Sequence, residues 1–448
     1  MTTGARLLVI TNNRFWRGSI GSQMRIAALL EHLRRQGWQV STVFSGRRYA
    51  EDEAGLQALG GSVHFSKPTP AAAVDDQTTT SRPVRLAVKT VLRRPACWLR
   101  ALVGQFGRAA PRPGMAGWLA EVSMRSHEPQ VRDFVDRRAI ELACRLIAAT
   151  PPQAVLVEYV FQAWAIDALR PCLPASTLWL IDAHDVLHER QQRFHAMGEQ
   201  HTLDISAREE TAWLSKFDAV LAIQSRDAAK FRAMGVRSRV LTVMHPQPAA
   251  AVPTTTGTLV GIGFIGSNMA PNTLALQELL EGIWPQVQQA TGGRARLVVA
   301  GSVCSSVQQW PAGVVCMGFL DSVDDFYRAV DIVVSPLRIG GGLKIKNVEA
   351  LCKGKALVTT PIGAEGLDDA DGQAFVVVES QSDLVQALQQ LTVDAAWRQR
   401  LAAAGLQYAS AAFNDDAVYA ELDSLLAPLL APLLAPVLES ADAASARR

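Results

Sequence analysis

The chain has 448 residues, 49% of them hydrophobic, and a formal net charge of +2. That length and apolar content allow two or three domains with full cores and exclude a disordered or fibrous protein, and near-neutrality excludes a nucleic-acid binder held by a global field. Six cysteines without any C-x-x-C pair argue against a zinc ribbon or a disulfide scaffold and point to a reducing, cytoplasmic setting. The N-terminus lacks the apolar core of a signal peptide, and no apolar run approaches about 18 residues, so no membrane span is expected.

Leu7 to Ile10 reads as a buried strand, and Gly18-Ser-Ile-Gly21 opens a helix whose Ile26, Leu29, Leu30 and Leu33 follow the helical period until Gly37. Gln39 to Phe44 supplies the next strand, so the chain begins as a β-loop-α-β unit. Residues 82–125 carry nine Lys and Arg against one acid, Glu121. Val84, Ala87, Val88, Val91 and Leu92 fall on one helical face and Arg82, Arg85, Lys89 and Arg93 on another, a pattern suited to an anionic membrane surface or to a helical insertion packed on the first domain. Further strands are expected at Ala154–Val157, Thr177–Ile181, Ala219–Ile223 and Arg239–Val243, which completes a doubly wound sheet. At its carboxyl edge Glu158 and the polar run Asp182-Ala-His184-Asp185-Val-Leu-His188-Glu189-Arg190, whose spacing permits metal binding, would face a ligand, unless Asp182 caps the next helix and His184 is an ordinary loop histidine.

Residues 246–258, rich in Pro, Ala and Thr, read as a linker. A second α/β pattern follows, with strands at Leu259–Phe264, Ala295–Ala300, Val314–Met317, Ile332–Val334, Leu357–Thr359 and Phe375–Val378. Gly261-Ile-Gly263-Phe-Ile-Gly266 matches the dinucleotide fingerprint, but the next strand ends in Gly301-Ser302 without the acid that would hold a nicotinamide ribose. Asp369-Ala-Asp371 sits among glycines as a surface turn rather than a metal site, and no metal or cofactor is expected. After Leu401 the chain reads as helical to about Leu426, where Pro428, Pro432 and Pro436 are expected to forbid a continuous helix.

The most informative stretch runs from Ser335 to Thr360. A buried strand enters it, Gly340-Gly341-Gly342 turns the backbone, and a helix begins near Leu343 with free amides and a positive dipole end. Arg338, Lys344 and Lys346 add charge at the same place, which suits a diphosphate. Glu349 shares a helical face with Lys346 and could accept bonds from ribose hydroxyls, or pair with Lys353 as on any exposed helix.

This stretch, with Gly354 and Gly363-Ala-Glu365-Gly366-Leu367, resembles the donor-binding segment of retaining GT-B glycosyltransferases of the family 4 type, and Lys346 fits the sub-pattern of bacterial polysaccharide-associated members. The resemblance covers most of residues 5–410. It implies a GT-B fold, two facing doubly wound domains with a cleft between them. The first would span 1–245, on the acceptor side, with the basic insertion at about 66–130; the second, 259–410, would bind the nucleotide sugar; residues 411–448 would cross back onto the first and end in a frayed tail. It further implies that Gly18, Gly21, Gly266 and Asn268 lie by the donor phosphates with Arg338, Gly341, Gly342, Lys344 and Lys346, that a helix bearing Arg25 follows the first loop, and that Glu349 holds the ribose. Asp182 and His184 would act at the sugar. Relatives carry a glutamate eight residues before the second one, where this chain has Gly341, so sugar contacts do not transfer. The expected function is hexosyl transfer, with retention, from a nucleotide-diphosphate sugar to a glycan, lipid-linked or protein acceptor at the cytoplasmic membrane face. The rivals are a sugar-nucleotide epimerase of similar fold and a non-catalytic sugar-nucleotide-binding subunit.

Overall fold

The computed structural model describes residues 4–18, 20–59, 61–68, 128–255, 257–367 and 372–445, with side-chain surroundings to residue 430. The basic stretch 82–125 and Asp369-Ala-Asp371 lie outside the described residues. Two parallel sheets organise the rest. Strands β1 (Arg6–Thr11), β2 (Gln39–Arg47), β3 (Ser62–Lys67), β4 (Ala154–Glu158), β5 (Leu178–Asp182), β6 (Ala219–Ala222) and β7 (Arg239–Thr242) form the first, in the order β3-β2-β1-β4-β5-β6-β7. Strands β8 (Val260–Ile265), β9 (Ala295–Ala300), β10 (Val314–Gly318), β11 (Ile332–Ser335), β12 (Ala356–Thr359) and β13 (Val376–Val377) form the second, in the order β10-β9-β8-β11-β12-β13. Helices link the strands in both, which is the two-sheet GT-B arrangement. The strands form because they are short Val, Leu and Ile runs; β4, β6, β11 and β12 are buried along their whole length, as parallel strands covered on both faces must be.

Register decides which residues reach the rim. Ile10 pairs with Val157 and Glu158 with Asp182, so Thr11, Glu158 and Asp182 end side by side although they are far apart in sequence. β3 is absent from the sequence-based expectation: Ser62-Val-His-Phe-Ser-Lys is an edge strand, and most of it is only partly buried. Gly261 and Gly263, the decoy fingerprint, serve packing. A Cβ at Gly261 would lie 2.3 Å from the Ala329 carbonyl oxygen, and one at Gly263 would lie 2.6 Å from the Phe326 ring, so the two glycines let the helix Val323–Ala329 press onto β8.

The C-terminal helix corrects another expectation. It runs unbroken from Asp415 to Ser445 through Pro428, Pro432 and Pro436. With a proline at every fourth position, each missing N–H falls opposite a carbonyl four residues earlier, so the lost bonds gather along one face of the helix. Ser424 and Pro428, the first such pair, are both exposed, so water can satisfy the freed carbonyl. On its buried side Val418, Tyr419, Leu422 and Leu426 join the core under the first sheet. His32 stacks on Tyr419 at 3.9 Å and lies 2.7 Å from Asp423, while Arg35 reaches Asp415 at 2.7 Å. The stretch between the sheets meets the start of this helix, Gln247 N–H donating to the Phe413 carbonyl at 2.8 Å.

Candidate functional site

A cavity of about 680 Å³ lies between the carboxyl edges of the two sheets, lined from the first by Gly18, Gly21, Tyr159 and His184 and from the second by Gly266, Gly341, Lys344, Lys346 and Glu349, among others. On the second side β11 delivers the chain to the glycine loop and the helix Ile345–Cys352 starts with no side-chain cap, leaving first-turn amides open to an anion. Lys346 donates to Asn272 Oδ1 at 2.7 Å and the Ile265 carbonyl at 3.3 Å, and its ammonium lies 4.7 Å over the Phe264 ring. None of these partners is anionic. Burial, aided by repulsion from Lys344, pulls the Lys346 ammonium down to about 7, as expected of a desolvated cation short of a counter-charge. Three residues on, Glu349 is buried and accepts the Tyr327 hydroxyl at 3.0 Å. Burial pushes its carboxyl up, against that bond and Lys353. Lys353 itself pairs with Asp324 at 2.8 Å, so the surface pairing with Glu349 gives way to a cavity-facing carboxylate.

Not every predicted cation faces the cavity free. Lys344 spends its ammonium on the loop carbonyls of Gly341 and Gly342, at 3.2 and 2.6 Å, and on Glu365 at 3.1 Å; it closes the loop. Arg338 points away and pairs with Glu278 at 2.5 Å, with 42% of its side chain exposed. Asn268 bonds Ser302 and Ser305 at the surface, whereas its neighbour Asn272 lines the cavity. Gly342 lies behind the lining with φ of 63°, where a Cβ would fall 2.4 Å from Asp185 Oδ1. Of the expected donor set, Arg338, Asn268 and Gly342 thus do not line the cavity, whereas the half-buried Lys346 does, together with Asn272.

The first side is a buried charge network. Arg25, on the helix that follows the first loop, is 2% exposed and clamps Asp182 with Nε at 3.0 Å and Nη2 at 2.7 Å, while Nη1 donates to the Val243 and Met244 carbonyls. Asp182 thus stands behind the cavity wall as an ion-pair partner and not as a helix cap. His184 does reach the cavity. Its Nε2 lies 3.2 Å from Glu158 Oε1 and 3.3 Å from Asp182 Oδ2, off the direction of a formed hydrogen bond. Glu158 accepts from the Thr11 hydroxyl and, at 2.7 Å, from Asn13 Nδ2. His184 and Tyr159 are the two non-glycine residues with positive φ among the described residues, at 59° and 65°. Their rings stack on each other at 3.9 Å. Such backbones cost about 1–3 kcal/mol each and persist where the surroundings dictate them, commonly at functional sites.

Between the sheets, Asp185 and Arg190, which belong to the polar run after β5 but to which sequence reasoning gave no role of their own, pair at 2.6 Å and line the cavity. Burial pushes the Asp185 carboxyl up, but Arg190, His184 and Lys344 outweigh it and hold it below the usual range. A Cβ on Gly341 would lie 3.1 Å from Asp185 Oδ1; the first half places a carboxylate beside the position where relatives are expected to carry glutamate. Arg193 crosses to Glu365 at 2.7 Å and to the Gly340 carbonyl at 2.8 Å. Nearby Asp227 is 3% exposed with an unpartnered Oδ2, and burial raises its carboxyl to about 7. No cluster of three or more His, Cys, Asp or Glu suited to a metal occurs among the described residues.

The fold defines the class, a two-sheet GT-B protein, and a family match falls within its second half. Residues 260–394 match the family described as glycosyl transferases group 1. Sucrose-phosphate synthase from Thermosynechococcus elongatus is similar in structure with a TM-score of 0.65 at 14% identity, over 96% of this chain and 100% of that one. TarM, with a TM-score of 0.63 at 9% identity, aligns over 95% of this chain and 99% of its own. Anabaena HepE, solved in complex with UDP, aligns over 94% of this chain and 100% of its own, with a TM-score of 0.61 at 12% identity. A search of proteins of curated function finds no sequence match.

Proposed function

We propose that the chain is a glycosyltransferase that moves a sugar, a hexose in the first instance, from a nucleotide-diphosphate sugar to a glycan or lipid-linked acceptor. The observation that carries the reading is Lys346, a half-buried cation without an anionic partner, set between open helix amides and a ribose-height carboxylate, Glu349. A diphosphate supplies the missing counter-charge, and stabilising it as it leaves is what transfer requires of the protein. Glu349 then accepts from the ribose hydroxyls. Asp185 offers the sugar a carboxylate beside Gly341, and His184, between two carboxylates, faces the reacting end. Retention follows from the family resemblance: the departing diphosphate takes the acceptor proton on the same face, with no protein nucleophile. HepE, similar in fold, is known in complex with UDP and with UDP-glucose, which favours UDP-sugars as donors.

A thermal-shift panel of UDP-, GDP-, ADP- and dTDP-sugars tests the donor, since a bound ligand raises the melting temperature by mass action. One nucleotide series should stabilise the protein, and Glu349→Ala should lose the shift; no shift with any of the four rejects the reading. The anomeric configuration of the product, read by NMR, tests retention. The basic stretch 82–125 would hold the enzyme at the cytoplasmic membrane face. Equal recovery in the supernatant from neutral and anionic vesicles would exclude that placement.

A further inference from the structure

A second crevice, of about 410 Å³, opens at the carboxyl edge of the first sheet alone. Asn12 after β1, Ser45 on β2, Lys67 at the end of β3 and Gln162 after β4 line it, with Arg137 and Arg138 at the start of the helix Arg137–Ala149. Strand carboxyl edges are where ligands enter open parallel sheets. Two acids also line it, so its three cations leave one net positive charge; both acids are hydrogen-bonded within the chain, and Asp136 lies beside Lys67. Asp136 caps the helix through the Arg138 and Ala139 amides and accepts from the Ser45 and Ser66 hydroxyls, at 2.8 and 2.7 Å. Asp133 accepts the Gln130 amide at 2.9 Å. The exposed Arg137 and Arg138 form no ion pair among the described residues, and Lys67 stands beside them. At the floor, Gln162 is 1% exposed and its Oε1 has no hydrogen-bond partner. An orphaned buried carbonyl is costly unless something donates to it.

The crevice is joined to the main cavity by rings. His184 stacks on Tyr159 at 3.9 Å, Tyr159 on Phe161 at 4.6 Å, and Phe161 meets Phe134 at 5.3 Å. The first two line the cavity and Phe134 lines the crevice. Ring edges and faces of this kind are the apolar surface against which the C–H faces of sugars pack. We propose that the crevice seats an acidic sugar of the acceptor. Its carboxylate or phosphate faces Lys67, Arg137 and Arg138, one of its hydroxyls donates to Gln162 Oε1, and a neighbouring sugar runs along the ring column to the transfer cavity. The inference rests on the glycosyltransferase reading and adds the class of acceptor to it.

Ligand-observed NMR titrations of the full chain with glucuronate, glucose 6-phosphate, glucose and inorganic phosphate decide the matter, with UDP affinity measured in parallel. At least one acidic sugar should bind about tenfold or more tighter than glucose and tighter than phosphate alone, and which of the two wins identifies the anionic group. In Arg137→Ala/Arg138→Ala, two exposed positions whose loss leaves the core intact, that preference should vanish while UDP affinity stays unchanged. Gln162→Glu, similar in shape but negative, should weaken the acidic sugars at least as much. Glucose binding as tightly as both acidic sugars overturns the proposal, and so does a preference that survives the double substitution. Absence of UDP binding would instead reject the donor-site reading, while normal UDP binding without acidic-sugar preference rejects only the acceptor class.

Discussion

The two rims that face each other across the cleft are built in opposite ways. On the second sheet the polar groups belong to one short stretch, Ser335 to Glu349, and the key cation is left without an anion. On the first sheet, Thr11, Arg25, Glu158, Asp182 and His184 come from three strand ends and a helix, and the charges are closed on one another. A rim with an unmet charge is prepared for a ligand. A rim whose charges are met is prepared to hold its shape, and what it presents to the cavity includes the stacked His184 and Tyr159 and the Asp185–Arg190 pair.

The largest effect expected from breaking this contrast is on the first rim. Arg25→Met leaves the fully buried Asp182 without its partner, which typically costs about 3–5 kcal/mol. Urea unfolding should show it, and a loss under about 1 kcal/mol would mean that the pair is not what holds the rim. Lys346→Met should do the reverse. Donor affinity should fall by roughly ten- to a hundredfold, the worth of a charge-assisted contact, with the melting temperature unchanged or raised. Because the free lysine titrates at about 7, a doubly charged UDP-sugar must draw a proton with it at higher pH. Its dissociation constant should therefore climb by up to about tenfold per unit above pH 7 in the parent protein and stay flat in the variant.

Asp227 lies where the two rims meet and sharpens the comparison by a smaller amount. Its folded carboxyl titrates at about 7, against about 3.9 in the unfolded chain. The folded state thus keeps a proton that the unfolded state releases across that window, and stability falls as pH rises through it. Asp227→Asn should stabilise the protein by about 1–2 kcal/mol at pH 8 and have no effect near pH 4. Equal effects at both would refute the assignment. Smallest of all, Arg338→Ala removes a half-exposed pair with Glu278 and should change stability by no more than about 0.5 kcal/mol, with donor affinity intact.

The same contrast explains what could be read beforehand. Buried parallel strands are runs of Val, Leu and Ile, so both sheets are visible to pattern alone, and the donor loop is visible because everything it needs lies within fifteen residues. Arg25 and Asp182 are 157 positions apart, and no local pattern joins them. Nor does sequence separate Lys344 from Lys346; Glu365, brought in by the turn after β12, neutralises one and leaves the other. The proline-rich end reads as broken when each proline is taken singly, whereas a spacing of four collects the lost bonds along one face of the helix, exposed at Ser424 and Pro428.

The hydrogen bond from Gln247 to Phe413 ties together the two places where the chain passes between its halves. Two passages held at one point make a pivot rather than a pair of separate tethers, so the halves can tilt apart but cannot slide freely past each other. The gap then widens with distance from that point. Arg25 grips the Val243 and Met244 carbonyls just before it, so the residue that braces the first rim also anchors the fulcrum about which the mouth of the cleft would swing.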